Sequence, residues 1–432
     1  MRGILKSKLM IALLSALIFV NCFSAENSKN SEDTIGFLGN IRQLKELSDI
    51  MDVINQNYVG EKEVNRTTLM QGALKGMVEA LGDPHSNYFT KEQLENFQED
   101  IKGKYVGVGM VVQKRVNEPL VVVSPIEDGP GYKVGMKPKD KIIAIDGEPT
   151  YKLTSEEAVE KLKGKENTKV KVTVVREGLK EAKEIEITRA VVELKYVKSK
   201  MIDEKDKIGY LRLTQFGENV YPDVVKALED LQKQGMKALV FDLRSNPGGA
   251  LDQAIKISSM FLKEGKVVSV KSKDGEEQIS NREGKYYGDF PLVILINGGS
   301  ASASEIVSGA IKDNKRGILV GEKSFGKGSV QTLVTLPDGD GIKLTIAKYY
   351  TPSGVCIHGI GIEPDVKVEE KEDYMLFDGM VTNIDEKGSK ENKKEIIKEV
   401  IGEKKAEEFE NHKDIQLDTA VGILKGILLE KK

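Results

Sequence analysis

Histidine and cysteine are scarce in this chain, and neither sign of charge prevails. Two cysteines, Cys22 and Cys356, and three histidines, His85, His358 and His412, occur among 432 residues. Cys22 lies in a segment that reads as removable, so Cys356 has no partner in the mature chain. An intramolecular disulfide is then excluded, and a Cys-ligated metal site has no ligands to draw on. Only His358 stands near the serine cluster described below, which leaves a Ser-His-Asp triad short of bases. The formal net charge is −3, with 31 % charged and 39 % hydrophobic residues, the balance of an ordinary soluble globular protein. Without a basic excess nothing points to nucleic acid, and the Lys and Glu runs read as solvated faces. The apolar stretch at residues 9–20 is too short for a transmembrane helix, which needs about 20 residues.

What the N-terminus does have is order. "MRGILKSKLMIALLSALIFVNCFSAENSKN" places Arg2, Lys6 and Lys8 before the apolar stretch and small, polar residues after it. That is the layout of a secretory signal, with cleavage expected after Ser24 or Ala25. Cys22 is also a candidate lipoprotein cysteine, for which Asn21 is a poor predecessor. The expected location is outside the cytoplasm, in the periplasm or cell envelope, with anchoring through this segment or a lipid on Cys22 left open.

A chain of this length has room for two or three domains. Residues 1–25 read as the signal and 26–99 as a helical region, since "FLGNIRQLKELSDIMDVINQNY" and "TTLMQGALKGMVEALGD" carry apolar residues at helical spacing until "GDPHS" breaks the pattern. Residues 100–186 turn to short strands and Gly-rich turns. Residues 187–366 alternate strand and helix in an α/β manner, and 367–432 are Lys- and Glu-rich with amphipathic helical spacing.

The chemistry concentrates in "PLVILINGGSASASEIVSGAI". A buried strand, a tight Gly turn and a helix are how a nucleophile is exposed at the top of an α/β sheet. The helix N-terminus there favours a developing oxyanion. The bland alternative is a capping box, because Ser302 and Glu305 fit S-x-x-E. If Ser302 is a nucleophile it needs a base, and Lys312, Lys323 and Lys327 lie downstream. Lys327 stands between glycines in "SFGKGSVQTLVTL", read as a strand in which Lys327, Ser329 and Gln331 share a face. On that reading the Gln331 amide holds the Lys327 amine. Ser300 and Ser304 are expected to cap or support the turn, Arg244 and Asn246 to build scaffold, and His358 to be structural.

Residues 100–186 resemble a PDZ domain along nearly their whole length. Gly107, Val108 and Gly109 match the loop that receives a peptide's C-terminal carboxylate, and the strand from Met110 would pair with the incoming tail. Together with "DLRSNPGG", "NGGSASASE", "GEKSFGKGSVQT" and "YYTPSGVCIHGIGIEPDV", the chain resembles the carboxyl-terminal processing peptidases, also called tail-specific proteases. The resemblance is strong over roughly 100–366. It implies Ser302 as nucleophile, Lys327 as base and Gln331 as their companion, with an oxyanion hole from the Gly248 and Ala303 N–H groups and a supporting role for Asp313. Lys163, where the family commonly has arginine, and Cys356, where a polar residue is usual, depart from the pattern.

The expected fold is therefore α/β multidomain: a crotonase/ClpP-like α/β serine-protease core, a PDZ domain and helical flanks at both ends. The expected activity is an exported serine endopeptidase acting on proteins with apolar C-terminal tails. No metal or other cofactor is required. A homodimer through the terminal helices and an activating lipoprotein or adaptor are the partners expected beside the substrate. Free lysine titrates at about 10.4, so the base requires burial to lower it toward neutral pH, against a cost of roughly 4 kcal/mol. Two rivals remain: an inactive PDZ scaffold that binds C-termini, and a crotonase-type acyl-transfer enzyme, which would need a coenzyme A site.

Overall fold

A computed structural model describes residues 30–60, 64–102, 104–114, 117–126, 129–137, 139–176, 181–369 and 413–430. The signal segment, Cys22, His412 and most of the 367–432 region lie outside these residues. The chain divides after Leu81 into two compact units.

The first unit carries the helices Asn30–Asn57 and Arg66–Glu79. The second is started by Asn65, whose Oδ1 accepts the Thr68 N–H at 2.8 Å and so meets one of the donors every helix start leaves open. Leu44, Ile50, Val53, Met70 and Met77 are exposed on this pair.

The second unit holds a six-stranded sheet in the order Val197–Asp203, Ile208–Leu213, Ala238–Asp242, Leu292–Ile296, Ile318–Gly321, Val366–Lys367, parallel except for its first pair. Its central strands, "ALVFD" and "LVILI", are buried on both faces, which explains why they read as unbroken apolar runs. Leu239, Phe241, Ile294 and Ile296 pack against the helices Tyr221–Lys233, Leu251–Phe261 and Ala303–Asp313. Alternate residues, Val240, Val293 and Leu295, pack against Ala420 and Leu424 of the helix Ile415–Glu430. This last helix was expected as a flank whose amphipathic stripe would pair two chains. Its stripe is instead consumed in the same chain, because the parallel sheet needs a cover on its second face.

Arg244 fastens that cover. Its guanidinium donates to Asp242 in the sheet (Nη2–Oδ2, 2.6 Å) and by both terminal nitrogens to Asp414 (2.8 Å each), and the arginine is almost fully buried.

An antiparallel sheet lies beside this core, in the order Asn87–Phe89, Gly341–Tyr350, Lys266–Ser272, Glu277–Asn281, with Ser329–Thr335 also paired to Gly341–Tyr350. A further antiparallel sheet runs in the order Met110–Lys114, Leu120–Pro125, Lys141–Ile145, Lys169–Val175, Lys183–Thr188. It closes over the helix Ser155–Leu162 through Leu120, Val122, Ile142, Val172, Ala158 and Leu162. That helix begins in a reciprocal box: Thr154 Oγ1 accepts the Glu157 N–H and Glu157 Oε2 accepts the Thr154 N–H.

Candidate active site

The strand Leu292–Ile296 leaves the core and turns at Asn297. Asn297 Oδ1 accepts the Gly299 N–H at 3.0 Å and the Ser245 N–H at 2.8 Å, so one side chain shapes its own turn and joins it to the neighbouring one. Ser300 was expected to cap the helix. Its hydroxyl donates to the Leu243 carbonyl at 2.8 Å and accepts the Asn297 N–H, so it braces the turn. Ser304 is a support, donating to the Asn246 carbonyl at 2.9 Å.

Ser302 sits between these braces at φ 53°, ψ −110°. A non-glycine residue with positive φ is strained, and such strain persists where the surroundings over-determine it. The Glu305 N–H goes to the Ser302 carbonyl oxygen at 2.9 Å, and the hydroxyl makes no cap hydrogen bond. Glu305 Oε2 accepts the Ser302 N–H at 2.8 Å, the carboxylate half of a capping box. Ser302 is therefore held, buried and at positive φ, at the head of the helix Ala303–Asp313.

The S-N-P-G-G turn closes over this serine. Asn246 is its hub, donating from Nδ2 to the Leu213 carbonyl (2.8 Å) while its own carbonyl takes the Ala301 N–H (2.9 Å) and the Ser304 hydroxyl. Gly248 has φ +99°, and a Cβ there would stand 2.7 Å from the Ala301 oxygen and 2.8 Å from both the Ala303 nitrogen and Ser302 Cβ. Glycine is demanded by the close approach as well as by φ. The two expected oxyanion donors are thus brought together. Here the Gly248 N–H donates to Asn246 Oδ1 at 2.9 Å.

Lys327 was expected on a strand. It lies in the loop before one, since the strand begins at Ser329. The loop is pinned by Glu305, a fully buried carboxylate that accepts four hydrogen bonds: Ser302 N and Lys327 N on Oε2 (2.8 Å each), and Gly326 N (2.7 Å) and the Ser324 hydroxyl (2.5 Å) on Oε1. Four donors on one carboxylate offset the cost of burying it. Gly328 is required because a Cβ would lie 2.2 Å from the His358 nitrogen. At both Gly326 and Gly328 the close neighbours are main-chain atoms of residues 357–361.

Burial lowers the Lys327 amine below the ordinary lysine range, and Glu305 works in the opposite sense without reversing it. Among the described residues, no hydrogen bond joins Ser302 Oγ to Lys327 Nζ.

Gln331 shares a strand face with Ser329, to whose hydroxyl its Nε2 donates at 2.8 Å. The same amide donates to Thr345 Oγ1 at 3.2 Å. Its amide nitrogen is thus committed to hydroxyls, and because Lys327 lies before the strand it does not share a strand face with Gln331 as expected. Asp313, at the end of the helix Ala303–Asp313, accepts the Ser353 N–H at 2.9 Å, steadying the "TPSG" turn. His85 and His358, far apart in sequence, meet edge to face with ring centroids 6.5 Å apart. No histidine is hydrogen-bonded to Ser302 among the described residues.

The comparisons with known proteins come from the same regions. The model described as peptidase family S41 matches residues 207–368, that of a PDZ domain 121–176, and that of the activating protease CtpB N-terminal domain 19–93. The carboxy-terminal-processing protease of Bartonella bacilliformis is 38 % identical over 366 residues, 83 % of this chain and 83 % of the relative. The chain belongs to peptidase family S41. It is a serine-type protease with a PDZ domain. The carboxy-terminal processing protease CtpA of Bacillus subtilis is 38 % identical over 302 residues, and the match spans 70 % of this chain and 64 % of that relative's length. Among solved structures, a photosystem II D1 C-terminal processing protease is 31 % identical, with a TM-score of 0.47, covering 72 % of this chain and 84 % of that one.

Ahead of the residues matched by the PDZ domain in this S41 peptidase, Gly107 ends the strand Lys104–Gly107, and Val108 and Gly109 form the link to Met110. All four are buried. Gly109 has φ +64°, and its carbonyl accepts the Ile126 N–H while the Val108 carbonyl accepts that of Gly131. The strand Met110–Lys114 pairs on one side only, with Leu120–Pro125, among the described residues. Lys163 ends the helix Ser155–Leu162, with its amine 5.6 Å from the Tyr105 ring centroid.

Proposed function

We propose that this S41 protease cuts with a Ser302–Lys327 dyad assisted by Gln331, on proteins whose apolar C-terminal tails are taken up by the PDZ domain. The observation that carries the reading is Glu305: one buried carboxylate ties the main chain of a strained serine to that of a lysine whose amine burial has weakened as an acid-binding group. Lowering the amine's pKa enlarges its neutral fraction, and only the neutral amine accepts the serine proton.

Lys327 Nζ then takes the proton from Ser302 Oγ as Oγ bonds to the scissile carbonyl carbon. The negative oxygen that results is met by the N–H groups of Ala303 and Gly248, the latter exchanging Asn246 Oδ1 for it. The protonated lysine gives its proton to the leaving amine as the C–N bond breaks. Water, deprotonated by Lys327, releases the acyl group and restores Ser302. No step needs a metal or another cofactor.

The tail would add to the free edge of Met110–Lys114 as a further strand, its carboxylate at the Gly107–Gly109 loop. Export through the 1–25 segment, pairing of two chains through the exposed apolar residues of the first unit, and activation by an adaptor complete the reading.

The test is to incubate the chain from Glu26 with an unfolded protein ending in apolar residues, beside Ser302→Ala and Lys327→Ala, and to identify products by mass spectrometry. Cutting by the parent alone, with both variants folded, supports the dyad. Binding of the tail without cutting, also in the presence of membrane extract as a source of adaptor, would favour a scaffold. Cutting by Lys327→Ala at the parental rate removes Lys327 from the role.

A further inference from the structure

The segment G-D-P-H-S, residues 82–86, ends a helical pattern in the sequence and has no part in the chemistry above. Its side chains nevertheless reach the catalytic end of the molecule. Asp83 Oδ1 accepts the His85 N–H at 3.0 Å, and Asp83 Oδ2 accepts the Ser86 hydroxyl at 2.6 Å. Burial works against ionisation of Asp83, but hydrogen bonds from Ser86, Thr345 and the His85 N–H outweigh it and hold its carboxyl at about 2. The turn thus keeps its charge and shape throughout the working pH range.

Ser86 is buried, and its Oγ accepts the Thr345 N–H at 3.1 Å. Thr345 lies where the pairing of two strands slips: Val330 is opposite Ala347, whereas Gln331 is opposite Thr345, so Ile346 has no counterpart. A bulge of this kind re-aims side chains and leaves main-chain groups without ladder partners. Ser86 directly precedes the strand Asn87–Phe89, which pairs with Gly341–Tyr350 on the edge opposite Ser329–Thr335, so its hydroxyl holds the Thr345 main chain from behind the bulge. Across the bulge, Thr345 Oγ1 and Ser329 Oγ take the Gln331 amide nitrogen. With its N–H groups committed, Gln331 has its Oε1 left, which is the acceptor a protonated lysine amine requires.

We propose that the Asp83–Ser86 turn is the positioning unit for Gln331. Ser86 pins the bulge, the bulge sets Thr345, and Thr345 orients the Gln331 amide toward the Lys327 end of the site. Ser86 is a positioning residue that acts through Gln331 and touches no reacting atom. The inference rests on the reading of Ser302, Lys327 and Gln331 as the catalytic group.

The test is a double-mutant cycle on the full chain, read as kcat and KM on β-casein and as the rate at which diisopropyl fluorophosphate labels Ser302. Ser86→Ala is expected to lower kcat and the labelling rate about tenfold with KM unchanged, since small misplacements of a catalytic group cost this much or more. Ser86→Thr, which restores a hydroxyl, recovers to within about threefold of the parent. In a Gln331→Ala background, Ser86→Ala adds less than about twofold, because coupled residues are non-additive. Equal losses in both backgrounds, or no loss in the parent, overturn the proposal. If Ser86→Ala fails to fold by circular dichroism, Thr345→Val removes the Gln331 acceptor while keeping the main-chain bond to Ser86. It must then show the same loss and the same non-additivity. Failure of the underlying dyad is separate: it appears as Ser302→Ala cutting casein, or as label on another residue.

Discussion

Ser302 and Lys327 hang by their main-chain N–H groups from the same oxygen, Glu305 Oε2, at 2.8 Å each. The separation of the proposed nucleophile and base is thus governed by a third residue to which no reaction step is assigned. Glu305→Gln puts an amide where four donors converge and leaves at least one of them unsatisfied in the core, a cost of about 1–3 kcal/mol each. The expected result is a fall in kcat of about 100-fold or more, with a lower melting temperature. Activity within threefold of the parent would contradict this.

Replacing Lys327 by methionine is expected to abolish cutting and yet raise the melting temperature at pH 7. The amine's pKa is lowered on folding by burial, so the folded state binds fewer protons than the unfolded state between the lowered pKa and the ordinary lysine value. The resulting destabilisation is fully present below the lowered pKa and is relieved as pH rises through it toward that ordinary value. The advantage of Lys327→Met should therefore shrink from pH 7 to pH 10, which differential scanning calorimetry of both proteins across that range checks.

Gly248→Ala places a methyl 2.7–2.8 Å from atoms of Ala301, Ser302 and Ala303 at a φ of +99°. If Gly248 is an oxyanion donor, kcat falls by about 100-fold or more while binding of an apolar-tailed peptide to the PDZ domain is unchanged. Calorimetric titration of the peptide beside steady-state kinetics separates the two.

The helix Ile415–Glu430 is fastened through Asp414 and the buried Arg244. Removing one partner of a buried pair costs about 3–5 kcal/mol. Asp414→Ala should lower stability in urea unfolding by less than that, because Arg244 keeps its bonds to Asp242. A simultaneous Arg244→Met should lower it further by leaving the fully buried Asp242 without its guanidinium.

The turns around Ser302 and Gly248 were legible because they are local. A strand, a Gly turn and a helix with S-A-S-A-S stand in one run of sequence, and N-P-G-G in another. Lys327 was also legible, although its strand was drawn two residues too early: Gly326 and Gly328 sit within a β-rich run, and only the packing of His358 on Gly328 shows that they belong to a loop. Glu305 was visible in the S-x-x-E spacing and was assigned to a cap, since the Gly326, Lys327 and Ser324 donors come from about twenty residues on. Ser86 gave no signal, because its partner Thr345 is 259 residues away. The final helix read as a flank for a similar reason: its amphipathic pattern shows that one face is buried, but not in which chain.

The measurement that bears most directly on the account is the pH dependence of Ser302 phosphorylation by diisopropyl fluorophosphate, which forms an Oγ–P bond and releases fluoride, in the parent and in Lys327→Ala. A buried lysine base gives a rate that rises with pH through one ionisation below the ordinary lysine range, and this rise disappears in Lys327→Ala while the protein stays folded. The same rise in Lys327→Ala, or label on a residue other than Ser302, would contradict it.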